Sequence, residues 1–315
     1  MFVGIDIGGT KCAVLKGKGR DIVYREAFAT TDCKTTLEKI FSMVEAIDSD
    51  YEAIGISCGG PLDEKKGIIQ SPPNLPGWDN IEIVKMLEER FNKPAFLLND
   101  ANACALAEWK YGAGAGSENM AFLTFGTGLG AGLVLNGRLY SGTNGNAGEV
   151  GHIRLAKRGG EIGFGKRGSF EGFCSGGGLG RAGKTLAKKL IAKGTPPKYC
   201  PTIDDLDKVT AKLLAEYANK GDEHALSVYE KCGYKLGEGL SILIDIINPE
   251  VIVIGSVFAR SEKLLVPQMQ KAIKKEALGA SANVCKIVPA VLGEQIGDVA
   301  ALIAAEEGVK YAKLR

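Results

Sequence analysis

The sequence predicts an α/β fold, and three observations carry that expectation. Short apolar runs of strand character alternate with segments whose apolar residues recur at helical spacing. Clusters of proline and glycine separate the two kinds of segment. A unit of strand, glycine–threonine turn and strand occurs twice, at residues 2–15 and again at residues 121–135. With 315 residues the chain has room for one large or two medium domains, each with a real core. The repeated unit favours two, and the small-residue stretch at 109–117 is the best linker. The expected division is residues 1–115 with the closing helix 298–315 in a smaller α/β domain, and residues 116–297 in a larger one.

Residues 2–7 form the opening strand, Gly8-Gly9-Thr10-Lys11 a tight turn, and residues 12–15 the returning strand of a hairpin. The turn offers backbone N–H groups, a hydroxyl and an ammonium, all donors suited to phosphate oxygens. Asp6 points at the same spot. That suits Mg²⁺ between carboxylate and phosphate, and it equally suits an ordinary hairpin in which Asp6 and Thr10 cap the turn. Residues 35–48 have helical spacing, 53–57 read as a buried strand, and Gly59-Gly60-Pro61 opens a loop. Ser71-Pro72-Pro73-Asn74-Leu75-Pro76-Gly77-Trp78 is too rich in proline for the interior of a helix or strand. Its stiff backbone would hold Asn74 and Trp78 in place, as a ligand wall or as a plain surface loop. A helix follows at 81–91.

Next comes the stretch on which the reading centres. An apolar strand at 95–98 runs into Asn99-Asp100, and Ala101, Ala103, Ala105 and Ala107 begin a helix. Asp100 therefore stands at a strand end beside a helix start, where free N–H groups can hold a carboxylate. Such an aspartate is either a helix cap or a general base.

The opening pattern recurs in the second half: strand 121–125, the turn Gly126-Thr127-Gly128-Leu129-Gly130, and strand 131–135, closed by the hairpin dipeptide Asn136-Gly137. Two such hairpins in matching positions suggest a duplicated domain pair gripping the two ends of a polyphosphate. Residues 126–131 also fit the dinucleotide fingerprint, with Glu149 at a suitable distance, but that motif must open a helix and β-rich sequence follows. Residues 160–167 nearly form a P-loop, yet Arg167 stands where Ser or Thr must bind Mg²⁺ and no apolar strand precedes them. Both are rejected. Gly148-Glu149-Val150-Gly151-His152 lies in a polar, glycine-rich stretch, and with Glu171 it could form a polar pocket for hydroxyl groups. A zinc site would need more nitrogen or sulfur ligands than Cys174, the one thiol nearby. From Ser175 the chain is helical at 179–192, 206–217 and 223–247, the last ended by Asn248-Pro249. Strand 251–254 leads to Gly255-Ser256, another place where backbone could approach a ligand. A helix at 264–278, a strand at 286–290 and a helix at 298–313 complete the pattern.

Composition excludes several classes. Lys+Arg 39 against Asp+Glu 37 leaves a net charge of +2, too balanced to indicate nucleic acid or an anionic membrane as partner. No apolar run approaches bilayer length, and Asp6 interrupts the N-terminal run as no signal peptide would. The eight cysteines are dispersed and read as reduced core thiols of a cytoplasmic protein.

Taken together, these segments resemble the ROK family of sugar kinases over nearly the whole chain, a branch of the actin-like ATPase superfamily. The resemblance implies two actin-like (ribonuclease H-like) ATPase domains with an interdomain cleft, and an ATP-dependent hexose kinase using Mg²⁺. Asp6, Gly8, Gly9, Thr10 and Lys11 resemble the first phosphate loop, and Gly126, Thr127 and Gly128 with Leu129-Gly130 resemble the second. Residues 252–256, ending in Gly255 and Ser256, resemble the adenosine segment, with Ser256 where a second Gly is common. By the same resemblance Asp100 is the catalytic base that takes the proton of a primary hydroxyl. Asn74, Asn99, Glu149, His152 and Glu171 are then ligands of the sugar's hydroxyls, with Gly60 beside them, and Asp6 is an outer-shell contact to Mg²⁺. Glucose fits this pattern best, with N-acetylated hexosamines, mannose, allose and fructose as alternatives. The family's zinc cysteines have no counterpart here, since the aligned positions are Ile162, Phe164 and Ser169. The metal should therefore be absent, leaving Phe164, Phe170 and Phe173 to hold the loop that presents Glu171. The expected partners are a small-molecule sugar and ATP, without nucleic acid or membrane. Exposed apolar surface on the helical half would suit a homodimer. The rival readings are a non-catalytic sugar-binding or regulatory protein on the same fold and an NAD-dependent oxidoreductase.

Overall fold

The structure is a computed structural model that describes residues 1–157, 160–163 and 165–313. The chain begins with β1 (Phe2–Ile7), β2 (Lys11–Lys18), β3 (Asp21–Ala29), α1 (Cys33–Ala46) and β4 (Ile54–Cys58). A small hairpin, β5 (Leu62–Asp63) and β6 (Ile68–Ile69), precedes α2 (Ile83–Phe91), β7 (Ala95–Asn99) and α3 (Asp100–Tyr111). Then come β8 (Met120–Leu123), β9 (Ala131–Leu135), β10 (Arg138–Leu139) and a second small hairpin, β11 (Ile162–Gly163) and β12 (Lys166–Arg167). The helical stretch holds α4 (Phe170–Phe173), α5 (Gly176–Ala192), α6 (Ala211–Asn219) and α7 (Glu223–Ile247). Strand β13 (Val251–Ile254), α8 (Val257–Glu276), α9 (Gly279–Val284), β14 (Lys286–Pro289) and α10 (Ile296–Ala312) complete the chain.

Two five-stranded sheets result, ordered β3-β2-β1-β4-β7 and β10-β9-β8-β13-β14. Each has the same internal order, with its first strand central, two later strands on one side and two on the other. In the first sheet β1 is antiparallel to β2 and parallel to β4, which is parallel to β7. In the second, β13 runs parallel to both β8 and β14. The duplicated hairpin pattern in the sequence is therefore the visible part of a duplicated sheet topology.

Two compact units divide the chain. The first comprises Met1–Gly116, Gly132–Ala147 and Val291–Arg315, and the second Ser117–Ala131 and Gly148–Ala290. In the first unit α10 lies directly on β1 and β4. A Cβ at Gly55 would stand 2.1 Å from the Ala301 carbonyl oxygen and 2.4 Å from the Ala305 nitrogen, so only glycine permits this approach. Ala301, Leu302 and Ala305 bury their side chains there with Phe2, Leu15 and Ala53. The second unit buries Phe122, Phe125, Phe170, Tyr229 and Phe258. Among the described residues no helix is long and apolar enough to cross a membrane.

Several expectations are corrected. Strand β3 went unnoticed because it is an edge strand with little burial, whose sequence lacks a clean apolar alternation. The supposed linker begins later, since α3 continues to Tyr111, where Trp109 and Tyr111 pack against the cluster of Leu106, Leu292, Val299 and Ile303. Residues 206–217 are split between a 3₁₀ turn (Ile203–Lys208) and α6, whose start is fixed by Thr210 accepting from the Leu213 N–H. Helix α8 starts at Val257, seven residues earlier than its spacing indicated, because Ser261 interrupts the helical geometry. Trp78 is no ligand wall: it is fully buried in the core beside Ile69 and Leu75.

Gly55→Ala should destabilise the protein by about 2–3 kcal/mol through overpacking against backbone. Gly279→Ala, where an added Cβ meets nothing within 4 Å, should be neutral or slightly stabilising. Urea unfolding of both variants checks the contrast.

Candidate active site

In the first unit, β4 and β7 end side by side, with Cys58 opposite Asn99. The carboxyl ends of parallel strands are where such sheets place their ligands. The helix cap at this point is Asn99, not Asp100. Its Oδ1 accepts from the N–H groups of Ala101 at 3.0 Å and Asn102 at 3.4 Å. Asp100 is the first residue of α3, and its Oδ1 accepts from the Ala101 N–H at 2.8 Å. Its Oδ2 lies 3.9 Å from where a Cβ on Gly59 would stand, while a Cβ on Gly60 would lie 3.3 Å from Asn99 Nδ2. Two glycines thus keep this surface bare. Glu64 fixes the junction from below: its Oε1 accepts from the Asn99 N–H at 2.8 Å and from Asn102 Nδ2 at 3.3 Å.

The Asp100 carboxyl is open to solvent yet densely surrounded by protein atoms, and this desolvation raises its pKa above the ordinary range, opposed by the Ala101 N–H. Among the described residues no lysine or arginine forms an ion pair with it. It is not half of a salt bridge among the described residues.

The β1–β2 turn belongs to the same unit. The Gly8 N–H donates to the Lys11 carbonyl at 3.1 Å, closing the hairpin. A Cβ on Gly9 would fall 2.5 Å from the Asn74 carbonyl oxygen, so glycine there lets the proline-rich segment rest on the turn. Thr10, Lys11 and Asn74 are exposed. Asp6 is half-buried near the end of β1, opposite Ser57 of β4. Its pKa is raised to about 6, first by burial, then by the charges of Asp298 and Asp100, against the lowering effect of Lys11 and Arg25. Asp298, on the first turn of α10, pairs with Arg25 Nε at 2.7 Å.

In the second unit, the turn 126–130 is folded back by Thr124, whose N–H donates to the Gly130 carbonyl at 3.0 Å and whose Oγ1 accepts from the Gly130 N–H at 3.0 Å. The Gly176 and Gly177 N–H groups donate to the carbonyls of Gly126 at 2.7 Å and Thr127 at 3.1 Å. Ser256 Oγ lies 3.9 Å from where a Cβ on Gly126 would stand, and Gly255 is bonded to the Leu123 carbonyl at 2.9 Å. Ser256 has φ +54°, a left-handed conformation that glycine adopts more readily, which is the physical sense of its unusual place in the adenosine-like segment. Glu149 precedes a 3₁₀ turn (Val150–His152) that His152 ends, both exposed, with Glu149 Oε2 3.9 Å from His152 Nε2. That turn is tied to α4 by the Phe170 N–H, which donates to the Ile153 carbonyl at 2.7 Å. Glu149, His152 and Glu171 thus lie on adjoining segments.

Ser169 stands where the sequence lacks a family cysteine. It is fully buried, its Oγ donating to the Gly163 carbonyl at 3.2 Å and accepting from the Gly172 N–H at 3.1 Å. Phe170 packs into the space left by Gly239 of α7, where a Cβ would meet its ring at 2.2 Å, and Phe173 is also buried. Phe164 lies outside the described residues. The two rejected motifs are not binding loops of those kinds: β9 follows residues 126–130, and Ile162–Gly163 pairs antiparallel with Lys166–Arg167 as β11 and β12.

Sequence reasoning missed Glu64, Arg25 and Asp298. Glu64 sits in Asp63-Glu64-Lys65-Lys66, which reads as a solvated turn, and Arg25 lies on the edge strand that went unnoticed. Asp298 reads only as the start of a helix. Nothing in a single sequence separates them from surface charges.

The sequence matches the ROK family over residues 2–307, and the chain belongs to that family. A glucokinase of Halalkalibacterium halodurans is 33% identical, the match covering 94% of this chain and 92% of that one. The DNA-binding transcriptional dual regulator NagC of Escherichia coli is 33% identical over 72% of this chain but 54% of its own length. Among solved structures, a ROK hexokinase from Thermus thermophilus aligns with a TM-score of 0.80 at 30% identity, covering 98% of this chain and 99% of that one. A ROK glucokinase from Streptomyces griseus, solved with glucose and AMPPNP, aligns at 0.77 and 28% identity with the same coverage. The fold is therefore α/β of the actin-like ATPase type.

Two predictions follow from the electrostatics and bonding of the first unit. The folded protein holds the Asp6 proton more tightly than the unfolded chain, whose carboxyl has its ordinary value of 3.8. Stability should therefore fall as pH rises from about 4 to about 6, by an amount of the order of 3 kcal/mol, and stay reduced above. Asp6→Asn should flatten that slope and raise stability at pH 7.5, read by denaturant unfolding across pH; an unchanged slope contradicts it. Glu64→Ala strands the Asn99 N–H and Asn102 amide and should cost about 1–3 kcal/mol in the same assay at neutral pH.

Proposed function

We propose that the protein transfers the γ-phosphoryl group of ATP to a hexose hydroxyl, the 6-OH of glucose or a related sugar, with Asp100 as general base. The observation that carries this reading is the Asp100 carboxylate: seated at a strand end by the Ala101 N–H, bare of basic partners among the described residues, beside Gly59. Kinship with the named glucokinases and hexokinase supports the reaction class, and the AMPPNP complex of the Streptomyces griseus relative supports ATP as donor.

Asp100 would hydrogen-bond the attacking hydroxyl and accept its proton as the new bond to phosphorus forms. Its pKa, raised by desolvation, makes it a better acceptor than an ordinary carboxylate. Asn74, Asn99, Glu149, His152 and Glu171, with Gly60, would orient the sugar. The turns at Gly8–Lys11 and Gly126–Gly128, with Gly255 and Ser256, would hold the nucleotide through backbone N–H groups. Mg²⁺ fits the first unit, because Asp6 is crowded by the carboxylates of Asp298 and Asp100 and offers the oxygen donor this ion prefers. When bound it would neutralise phosphate charge. Asp6 would hold it through water. The free thiols of all eight cysteines agree with a cytoplasmic place of action.

A panel of hexoses, N-acetylhexosamines and fructose with ATP and Mg²⁺, followed by ADP release, tests the reaction and identifies the sugar. Turnover with glucose or a close relative is expected. Sugar binding without ADP release from any member would mark a non-catalytic sugar-binding protein instead. In the active assay, Asp100→Asn should lower kcat by about two to four decades while sugar still binds. A near-normal rate would refute the role of Asp100.

A further inference from the structure

Glu171 does more in the second unit than a sugar ligand needs to do. Its Oε2 accepts a hydrogen bond from the Leu129 N–H at 3.1 Å, inside the turn 126–130. The same oxygen lies 2.6 Å from where a Cβ on Gly128 would stand. Gly128 does not have a left-handed φ, so its backbone would accept any residue. What a side chain there would have to displace is the Glu171 carboxylate, the far end of a flexible side chain. The turn is also bonded to the Gly176 and Gly177 N–H groups at the start of α5. Those two residues follow Glu171 closely, and Ser175 Oγ donates back to the Glu171 carbonyl at 2.9 Å. The segment 171–177 therefore straps the turn at three points, and only one of them is a side chain.

We propose that Glu171 is a positioning residue for the turn 126–130, so that one carboxylate serves the sugar site and sets the shape of the nucleotide-binding turn. The inference rests on the reading of that turn as a phosphate loop. Its consequence is that losing Glu171 weakens nucleotide binding even when no sugar is present. A residue that only held sugar would leave that binding unchanged.

The chemistry fixes the choice of variants. Glu171→Gln keeps a carbonyl oxygen able to accept from the Leu129 N–H, whereas Glu171→Ala leaves that N–H without its partner. Hydrogen bonds to charged groups are worth enough that losing this one should be visible as a change of about tenfold. Calorimetric titration of Mg–ADP into sugar-free protein is the measurement. Glu171→Ala should raise the Kd about tenfold, and Glu171→Gln should restore it to within about threefold of the parent protein.

A third variant guards against misfolding of the first. In Gly128→Ala the new methyl meets the carboxylate and should weaken Mg–ADP binding in the parent background. Combined with Glu171→Ala, which vacates that space, it should add little further loss. Unchanged Mg–ADP affinity in Glu171→Ala, or strictly additive losses in the double variant, would overturn the proposal. If the parent protein binds no Mg–ADP, the nucleotide reading of the turn fails and this inference with it. If the parent binds and Glu171→Ala binds equally well, only the inference fails.

Discussion

The structure depends on a change of backbone at one point, where β7 stops and α3 starts. A helix start has more N–H groups than partners, and here two neighbouring side chains divide them. Asn99 takes the capping bonds, which frees Asp100 from structural duty except for one bond to the Ala101 N–H. Glu64 then holds the junction by accepting from the backbone of Asn99 and the side chain of Asn102. A carboxylate supported this way has a fixed position and an open face. That combination is what proton abstraction from an alcohol requires.

The same economy governs the rest of the candidate site. Glycines appear where a side chain would collide with a functional group rather than where a chain must merely bend. Gly9 gives way to the Asn74 carbonyl, Gly60 to the Asn99 amide, and Gly128 to the Glu171 carboxylate. Two other residues behave in the opposite manner. Asp6 carries an ionisation cost, imposed by burial and by Asp298 and Asp100 and partly offset by Lys11 and Arg25, that a bound cation would lower further. Ser256 holds a backbone conformation that glycine would adopt more easily. Stability given up at residues of a proposed binding site is the usual mark of function.

Much of this was legible in the residues. The strand and helix alternation, the two glycine turns, the 223–247 helix and the Asn99-Asp100 junction all follow from apolar spacing and turn chemistry, and their order carries the family resemblance. Edge strand β3 was hidden because its burial alternates too weakly to leave an apolar pattern. Trp78 was misplaced because a proline-rich segment carries no periodicity to say which side chains turn inward. Glu64, Arg25 and Asp298 escaped for a different reason. Their partners lie 35, 273 and 273 residues away in sequence, and charges that meet only in the folded chain look like any surface charge.

The account stands or falls on what Asp100 faces once a sugar is bound. The direct measurement is a crystal structure of the protein with its hexose and Mg–ADP. The prediction is an Asp100 carboxylate oxygen within about 2.6–3.2 Å of the hydroxyl that becomes phosphorylated. A sugar seated with that hydroxyl out of hydrogen-bond reach of Asp100, and against some other side chain, would contradict it.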